Sequence, residues 1–533
     1  MTRHYSKAPQ KAISTTALPH TDIPHVTIIR PVKGIEPFLY DCLAASIRQD
    51  YPRDKLTIYF CVSSIQDPAY TIVMRVLQDF PDADARVFIE PPYEYTELGP
   101  NPKIRNMSRA YREAKGDIVW IMDCNIWLSK GVCGRMVDRL CGLNPKINGG
   151  QKFKFVHHLP IVVDVPLHCP DEKSAVSSGQ PMGNTNSRDK DFSTAGSLLS
   201  RAGGRLEELF LASSHPKMYA AINTVLIAPC IIGKSAMFRR SHLNYITSTP
   251  PKHAKRVNRR PGIDYFSDNI CEDHLIGDRL WNARVFQEAE LHEKWGKHDL
   301  AFGDMAIQPM SGMSVASYVD RRVRWLRVRK FTVLLATLVE PGTESFLCSL
   351  YLAFGLTTSI PARYPEYCSY LGNWSAFVSI WFVSILVWMV TDWTVYLRLH
   401  SGVTVEVDEH TPSFARPLPK SWFARRPFRD WLFAWLGREA LAFPIWIWSF
   451  YGGTTVIWRD KVFKVGLDAV TYEIGQATGQ AKKAQEKSLT IRQALDEGRG
   501  GAASSDVRRR TPKESFIRNM VTARFTEPEL SAS

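Results

Sequence analysis

Three acidic points in this chain stand where a carboxylate can do chemistry. Asp123 closes the apolar run Ile118-Val119-Trp120-Ile121-Met122, and Asn125 follows two residues later. A continuous run of apolar β-formers reads as a buried parallel strand. The C-terminal end of such a strand is where open α/β sheets hold ligands. An acid there either satisfies a turn or holds a cation, because Mg2+ and Mn2+ take oxygen ligands and neutralise a departing phosphate. Asp67, in "CVSSIQDPAY", follows a second such run and precedes a proline-started helix, where an ordinary helix start explains it equally well. In "FSDNICEDHLIGDRLW", Glu272 and Asp273 open an apparent helix. Capping of the helix dipole is the plain account of that pair. The chemical account is a general base beside an acceptor hydroxyl.

The stretch "RRVRW" sets Arg321 and Arg324 three residues apart on one helical face, with Trp325 next. Guanidinium forks match diphosphate oxygens bidentately. The alternative is a basic anchor with an interfacial tryptophan beside a membrane.

The elements that must position these residues alternate. "HVTIIRPVKG", "LTIYFCVSS", "ARVFIEP" and "DIVWIMDCN" read as strands. "EPFLYDCLAASIRQDYP", "PAYTIVMRVLQDFP", "PKIRNMSRAYREAK" and "KGVCGRMVDRLCGL" read as the helices between and after them. Strand, helix, strand, helix with short connections implies an α/β, doubly wound parallel sheet with right-handed crossovers. "KFKFVHHLPIVVD" is a further strand. Residues of about 167–197 are rich in Ser, Gly, Pro and charge, and read as a disordered insertion. The apolar "AAINTVLIAPCIIG" is short for a membrane span and reads as a core strand.

With 533 residues, 45% of them apolar, the chain has room for a large core and more than one part. Its net charge of +14 suits nucleic acid, an anionic membrane face or a phosphorylated substrate. Apolar and aromatic clusters late in the chain favour the membrane, and no nucleic-acid partner is expected. Ten cysteines without a C-x-x-C pair or zinc-ligand spacing read as reduced thiols. The expected organisation is a disordered 1–24, a catalytic domain over 25–330, membrane or interfacial helices over 331–460 and a basic, disordered tail over 461–533. Candidate spans are 345–360 extended backwards, 375–397, and 440–458. Arg398, Arg416, Lys420, Arg425, Arg426 and Arg429 lie between the second and third of these, which puts that loop on the cytoplasmic side.

The order of these features resembles the membrane-bound inverting glycosyltransferases with a GT-A fold, a group that includes cellulose, chitin and hyaluronan synthases. Eight segments from about Val26 to Gly466 are closer still to the ceramide glucosyltransferase family: "TIIRPVKGIEPFL", "CVSSIQDPA", "NPKIRNM", "SSHPKMY", "CIIGKSAMFRR", "CEDHLIG", "RRVRW" and "WRDKVFKVG". The resemblance implies a GT-A nucleotide-sugar-binding (Rossmann-like) domain, UDP-glucose and ceramide as substrates, and Mg2+ or Mn2+ as cofactor. It implies that Asp67 helps hold the nucleotide, and that Asp123 holds the metal and the diphosphate. It makes Asp273 the base, with Glu272 beside it and His215 in the active-site region, and has Arg321, Arg324 and Trp325 close on donor and acceptor. It further implies an integral membrane protein of the Golgi or ER, its catalytic domain facing the cytosol, and leaves open whether the chain forms a homo-oligomer. Two departures stand out: Asn125 occupies the place of a second acid common among relatives, and the family's usual N-terminal span has no counterpart at the start of the sequence. The rival readings are a processive polysaccharide synthase, which needs several spans to extrude its polymer, and a non-catalytic membrane scaffold.

Overall fold

Each apolar run between residues 26 and 122 becomes a strand. The structure is a computed structural model and describes residues 3–91, 98–145, 148–166, 201–248, 259–419, 421–458 and 461–476. Strands β1 (Val26–Val32), β2 (Leu56–Val62), β3 (Ala85–Ile89), β4 (Ile118–Met122), β5 (Phe155–Asp164), β6 (Ser235–Arg239) and β7 (Asp299–Met310) form one sheet in the order β3-β2-β1-β4-β6-β5-β7. Neighbours pair in parallel except β6, which runs antiparallel between β4 and β5.

Helices α1 (Leu39–Ile47), α2 (Ala69–Asp79), α3 (Pro102–Arg112) and α4 (Val132–Cys141) follow the first four strands. Helices α5 (Gly203–Phe210), α6 (Ser214–Val225) and α7 (Glu272–Asn282) lie between β5 and β7 in sequence. Successive strand residues point to opposite faces, and two separate cores result. Ile28, Ile58 and Trp120 meet Leu43, Val73 and Val132 on one face. Ile29, Tyr59 and Val119 meet Ile104, Met107 and Ile276 on the other. The doubly wound α/β expectation holds.

After β7 come α8 (Val315–Arg329), α9 (Leu334–Val339), α10 (Ser345–Arg363), α11 (Trp374–Leu399) and α12 (Phe428–Tyr451). Among the described residues, α10 and α11 are long and apolar enough to cross a membrane. They are tied together by Ser384 Oγ to Ser349 Oγ at 2.9 Å and by Trp381 Nε1 to the Phe346 carbonyl at 3.2 Å.

Four expectations need correction. The third candidate span, 440–458, is not one helix: α12 stops at Tyr451 before Gly452-Gly453, and Thr455–Trp458 is strand β8. The N-terminal half of α12 also buries the charged pair Arg438 and Glu439. The tail expected from residue 461 begins with strands β9 (Lys461–Val465) and β10 (Thr471–Gln476), which join β8 in a second sheet. The N-terminal residues are ordered from 3 onward. Asp138 accepts from Ile13 N at 2.6 Å and Ser14 N at 2.8 Å, so a carboxylate 124 to 125 residues away caps that turn, and Tyr5 is fully buried. The segment 220–233 is not a core strand but the end of α6 and an exposed tip, because sheet pairing with β4 begins only at Ser235. The insertion of about 167–197 lies outside the described residues.

Candidate active site

Parallel strands β1, β2 and β4 end at one edge of the sheet, which puts Asp67 and Asp123 on that edge. The antiparallel β6 starts there. Its register sets Ser235 opposite Met122, so Lys234 faces Asp123, whose N–H donates to the Lys234 carbonyl at 3.1 Å. Helix α3 begins beside them. Asn101 caps it, accepting from Lys103 N at 2.8 Å and Ile104 N at 3.1 Å. The other end of the same amide donates to Glu272 Oε2 at 2.9 Å and to the Asn269 carbonyl, stitching α3 to the start of α7.

The result is an acid cluster around one ammonium. Lys103 Nζ lies 3.2 Å from Asp123 Oδ1, 3.1 Å from Glu272 Oε1, and 3.1 and 3.2 Å from the two oxygens of Asp273. Lys234 Nζ meets the remaining Asp123 oxygen at 3.0 Å. Burial would raise the Asp123 carboxyl, but the two lysines outweigh it and hold the group well below the usual carboxylate range. Burial would likewise lower Lys103; Asp123, Asp273 and Glu272 instead raise it well above the ordinary lysine value. Glu272 is the enclosed member, its side chain 3% exposed, and burial followed by the Asp273 charge pushes it up to about 7. Asp273 is the open one at 30%. Glycine at 233 leaves the space the Asp273 carboxylate occupies, because a Cβ there would fall 1.6 Å from Asp273 Oδ2 and displace it.

The other expected site residues take separate places. Asp67 accepts from Gly34 N at 2.9 Å and Ala69 N at 3.0 Å, joining the turn after β1 to the start of α2. Arg321 is held by Glu207 of α5 at 2.9 Å and lies over the Trp325 ring at 4.7 Å. Arg324 is half-buried on α8; burial raises the Asp320 carboxyl, and Arg324 only partly opposes that rise. His215 stacks on Tyr219 with ring centroids 5.1 Å apart, and its Nδ1 has no hydrogen-bond partner. Thus Asp123, Glu272 and Asp273 come together, while Arg321 and Trp325 form a pair of their own around Glu207.

Sequence reasoning missed Lys103, Lys234 and Arg30. The Arg30 guanidinium is fully buried and donates to Ser46 Oγ at 2.9 Å and to the Cys124 and Ile126 carbonyls at 2.9 and 3.0 Å. It thereby fixes the turn that carries Asp123 and Asn125. The available signal was a charge inside an apolar run, as in Thr27-Ile28-Ile29-Arg30-Pro31-Val32, since a buried charge requires partners.

Among the described residues, no three His, Cys, Asp or Glu side chains are grouped to enclose a metal ion. Asp123 and Asn125 nonetheless carry oxygen donors of the type Mg2+ and Mn2+ take. Asp123 offers a carboxylate, and Asn125, 8% exposed, carries an unpartnered Oδ1. Mg2+ is commonly held by one or two such groups with substrate phosphates completing its shell.

Behind the cluster lies a histidine chain. His157 Nδ1 meets the Tyr219 hydroxyl at 2.5 Å and its Nε2 meets His298 Nδ1 at 3.2 Å, while His158 Nδ1 meets Ser235 Oγ at 2.8 Å. Burial is the largest cause lowering all three, His157 well below its ordinary value, His158 to about 4 against an opposing pull from Asp304, and His298 to about 3. The unfolded chain therefore binds more protons than the folded one below about pH 6.5, the unperturbed histidine value. The stability present above that pH is lost as pH falls toward the folded values, by on the order of 2 kcal/mol per histidine at pH 5. Thermal unfolding in detergent is expected to show a steep fall in Tm between pH 6.5 and 5. A flat profile would show that these rings are not buried neutral.

The model of glycosyl transferase family 21 matches residues 2–162 and 194–470. A ceramide glucosyltransferase of Gibberella zeae is 49% identical over 84% of this chain and 84% of its own length. One of Pyricularia oryzae is 48% identical over 89% and 91%, and one of Candida albicans is 32% identical over 84% and 88%. Among solved structures, a mannosyltransferase from Pyrobaculum calidifontis in complex with GDP-Man and Mn2+ is a distant likeness at 15% identity and TM-score 0.35, over 74% of this chain and 92% of that one. The chain belongs to glycosyl transferase family 21 and is a glycosyltransferase.

Proposed function

We propose that the chain transfers glucose from UDP-glucose to the primary hydroxyl of ceramide, with inversion at the anomeric carbon. The observation that carries this reading is the cluster of Asp123, Glu272 and Asp273 around Lys103 at the strand ends; the relatives named above point to the substrates. Asp273, the most open of the three acids, takes the acceptor proton. The freed oxygen bonds to the anomeric carbon from the face opposite the phosphate. The bond from that carbon to the phosphate oxygen breaks, and its electron pair leaves with UDP.

Asp123 and Asn125 would hold the divalent cation, which supplies Lewis-acid neutralisation of the departing diphosphate when bound. Lys103 and Lys234 stand ready at the same point as preorganised positive charge. Asp67 steadies the loop over the nucleotide. Arg321, Arg324 and Trp325 serve donor and acceptor, with Glu207 restraining Arg321 until substrate arrives. The catalytic unit faces the cytosol of the ER or Golgi, anchored by α10 and α11. The basic segment carrying Arg398, Arg416, Arg425 and Arg426 supports that orientation.

Reconstituted protein supplied with radiolabelled UDP-glucose, ceramide and Mg2+ or Mn2+ is expected to yield a lipid bearing one glucose, and to stop on chelation. A labelled polymer would replace this reading with the polysaccharide synthase. No labelled lipid under either metal would overturn the ceramide assignment.

A further inference from the structure

Helix α6 has two unlike faces. Inward, Tyr219 and Asn223 are buried, and Tyr219 bonds to His157 behind the acid cluster. Outward, Met218, Ala221, Ile222 and Val225 follow the i, i+3, i+4, i+7 spacing of a helical stripe. Met218 is 37% and Val225 63% exposed. No charged residue occurs between Met218 and Gly233.

The helix ends in Leu226 at φ 58°, ψ 37°, a left-handed cap that usually falls to Gly or Asn. Ile227 beyond it is 81% exposed. A soluble protein gains nothing by crowding bulky apolar side chains onto a strained, solvent-facing tip.

The same helix is fastened to a candidate membrane span. The Lys217 ammonium pairs with Asp392 and lies 4.2 Å over the Trp388 ring, both on α11. Those two residues sit about two to three turns inside the C-terminal end of α11, so the first turn of α6 is fastened to the span near that end. A helix tied at its start to a span, uncharged on its free face and tipped by large apolar residues, matches an interfacial element that buries one side in lipid.

We propose that the outer face of α6 and its tip at Val225, Leu226 and Ile227 are seated in the lipid leaflet beside α11. The helix whose Tyr219 bonds to His157 is then itself in contact with lipid, and an acceptor reaches Asp273 past this helix without leaving the membrane. That last consequence rests on the lipid acceptor proposed above; the seating in the leaflet does not.

The test uses the full chain in phosphatidylcholine vesicles, with bimane on Ile227→Cys and identically treated wild-type protein to subtract labelling of native cysteines. Lipids carrying a nitroxide on the acyl chain are expected to quench the label, whose emission is shifted to the blue. The same label on Asp82→Cys, just before β3 at the opposite edge of the sheet, is expected to remain unquenched. Val225→Glu/Ile227→Glu is expected to raise the apparent KM for long-chain ceramide about tenfold or more, with UDP binding unchanged. A water-like, unquenched Ile227 label would overturn the proposal. So would a blue-shifted label that acyl nitroxide does not quench, which would indicate a protein covering the stripe. Quenching in a chain that makes no glucosylated lipid would uphold the leaflet seat and remove the proposed function instead.

Discussion

Asp273→Asn is expected to lower kcat by roughly 10²–10⁴-fold, the range that a positioned general base contributes, while UDP binding persists. The substitution keeps the shape of the side chain against Gly233, whose missing Cβ leaves the space it occupies. It removes the proposed proton acceptor and one of the three carboxylates around Lys103, which still has Asp123 and Glu272 at 3.2 and 3.1 Å. The nucleotide end of the site therefore stays intact. Single-turnover transfer with UDP affinity measured in parallel makes the check. Near-normal transfer would mean that another group accepts the proton, and Glu272, largely enclosed at 3% exposure, is poorly placed to reach an acceptor.

What could be read from sequence divides along a physical line. Strands β1, β2 and β4 announce themselves because burial on both faces demands unbroken apolar runs. Asp67, Asp123 and the Glu272-Asp273 pair announce themselves because they sit at the local ends of such elements. Lys103, Lys234 and Arg30 do not, since each acquires its partners only when distant elements meet. Lys234 reaches Asp123 through the antiparallel register of β6, and nothing in "CIIGKSAMFRR" specifies strand direction. The misread membrane segment has the same cause: Thr455–Trp458 leaves the helix to pair with Lys461–Val465, a partner its own composition does not reveal. Arg438 and Glu439 are buried in α12 because Glu344, 2.8 Å from Arg438, and the Ser345 N–H, 3.0 Å from Glu439, arrive from another helix. The ordered N-terminus likewise depends on Asp138, more than a hundred residues away.

Lys103→Met is expected to be among the most damaging single changes in this protein. Methionine keeps the length and apolar stem of the side chain, so packing of α3 is retained while the charge disappears. Three carboxylates within 3.2 Å of one point then lose the ammonium that lies between them. Lys234 compensates only Asp123, at 3.0 Å. Glu272, already raised by burial and by Asp273, loses the positive charge that restrains it and takes up a proton. Removing one partner of a buried ion pair typically costs about 3–5 kcal/mol, because the other charge stays buried without compensation. Thermal unfolding is expected to register this loss together with a collapse of kcat. The double substitution Lys103→Met/Glu272→Gln separates charge from geometry: neutralising Glu272 relieves the uncompensated site, so the pair is expected to be more stable than Lys103→Met alone, with a coupling of about 1–3 kcal/mol. Transfer is expected to stay low in both, because neither restores the positive charge proposed to face the diphosphate. If Lys103→Met matches wild-type stability, the cluster is not held by its ammonium, and the order of Asp123 and Asp273 must come from Arg30, Asn101 and Gly233 instead.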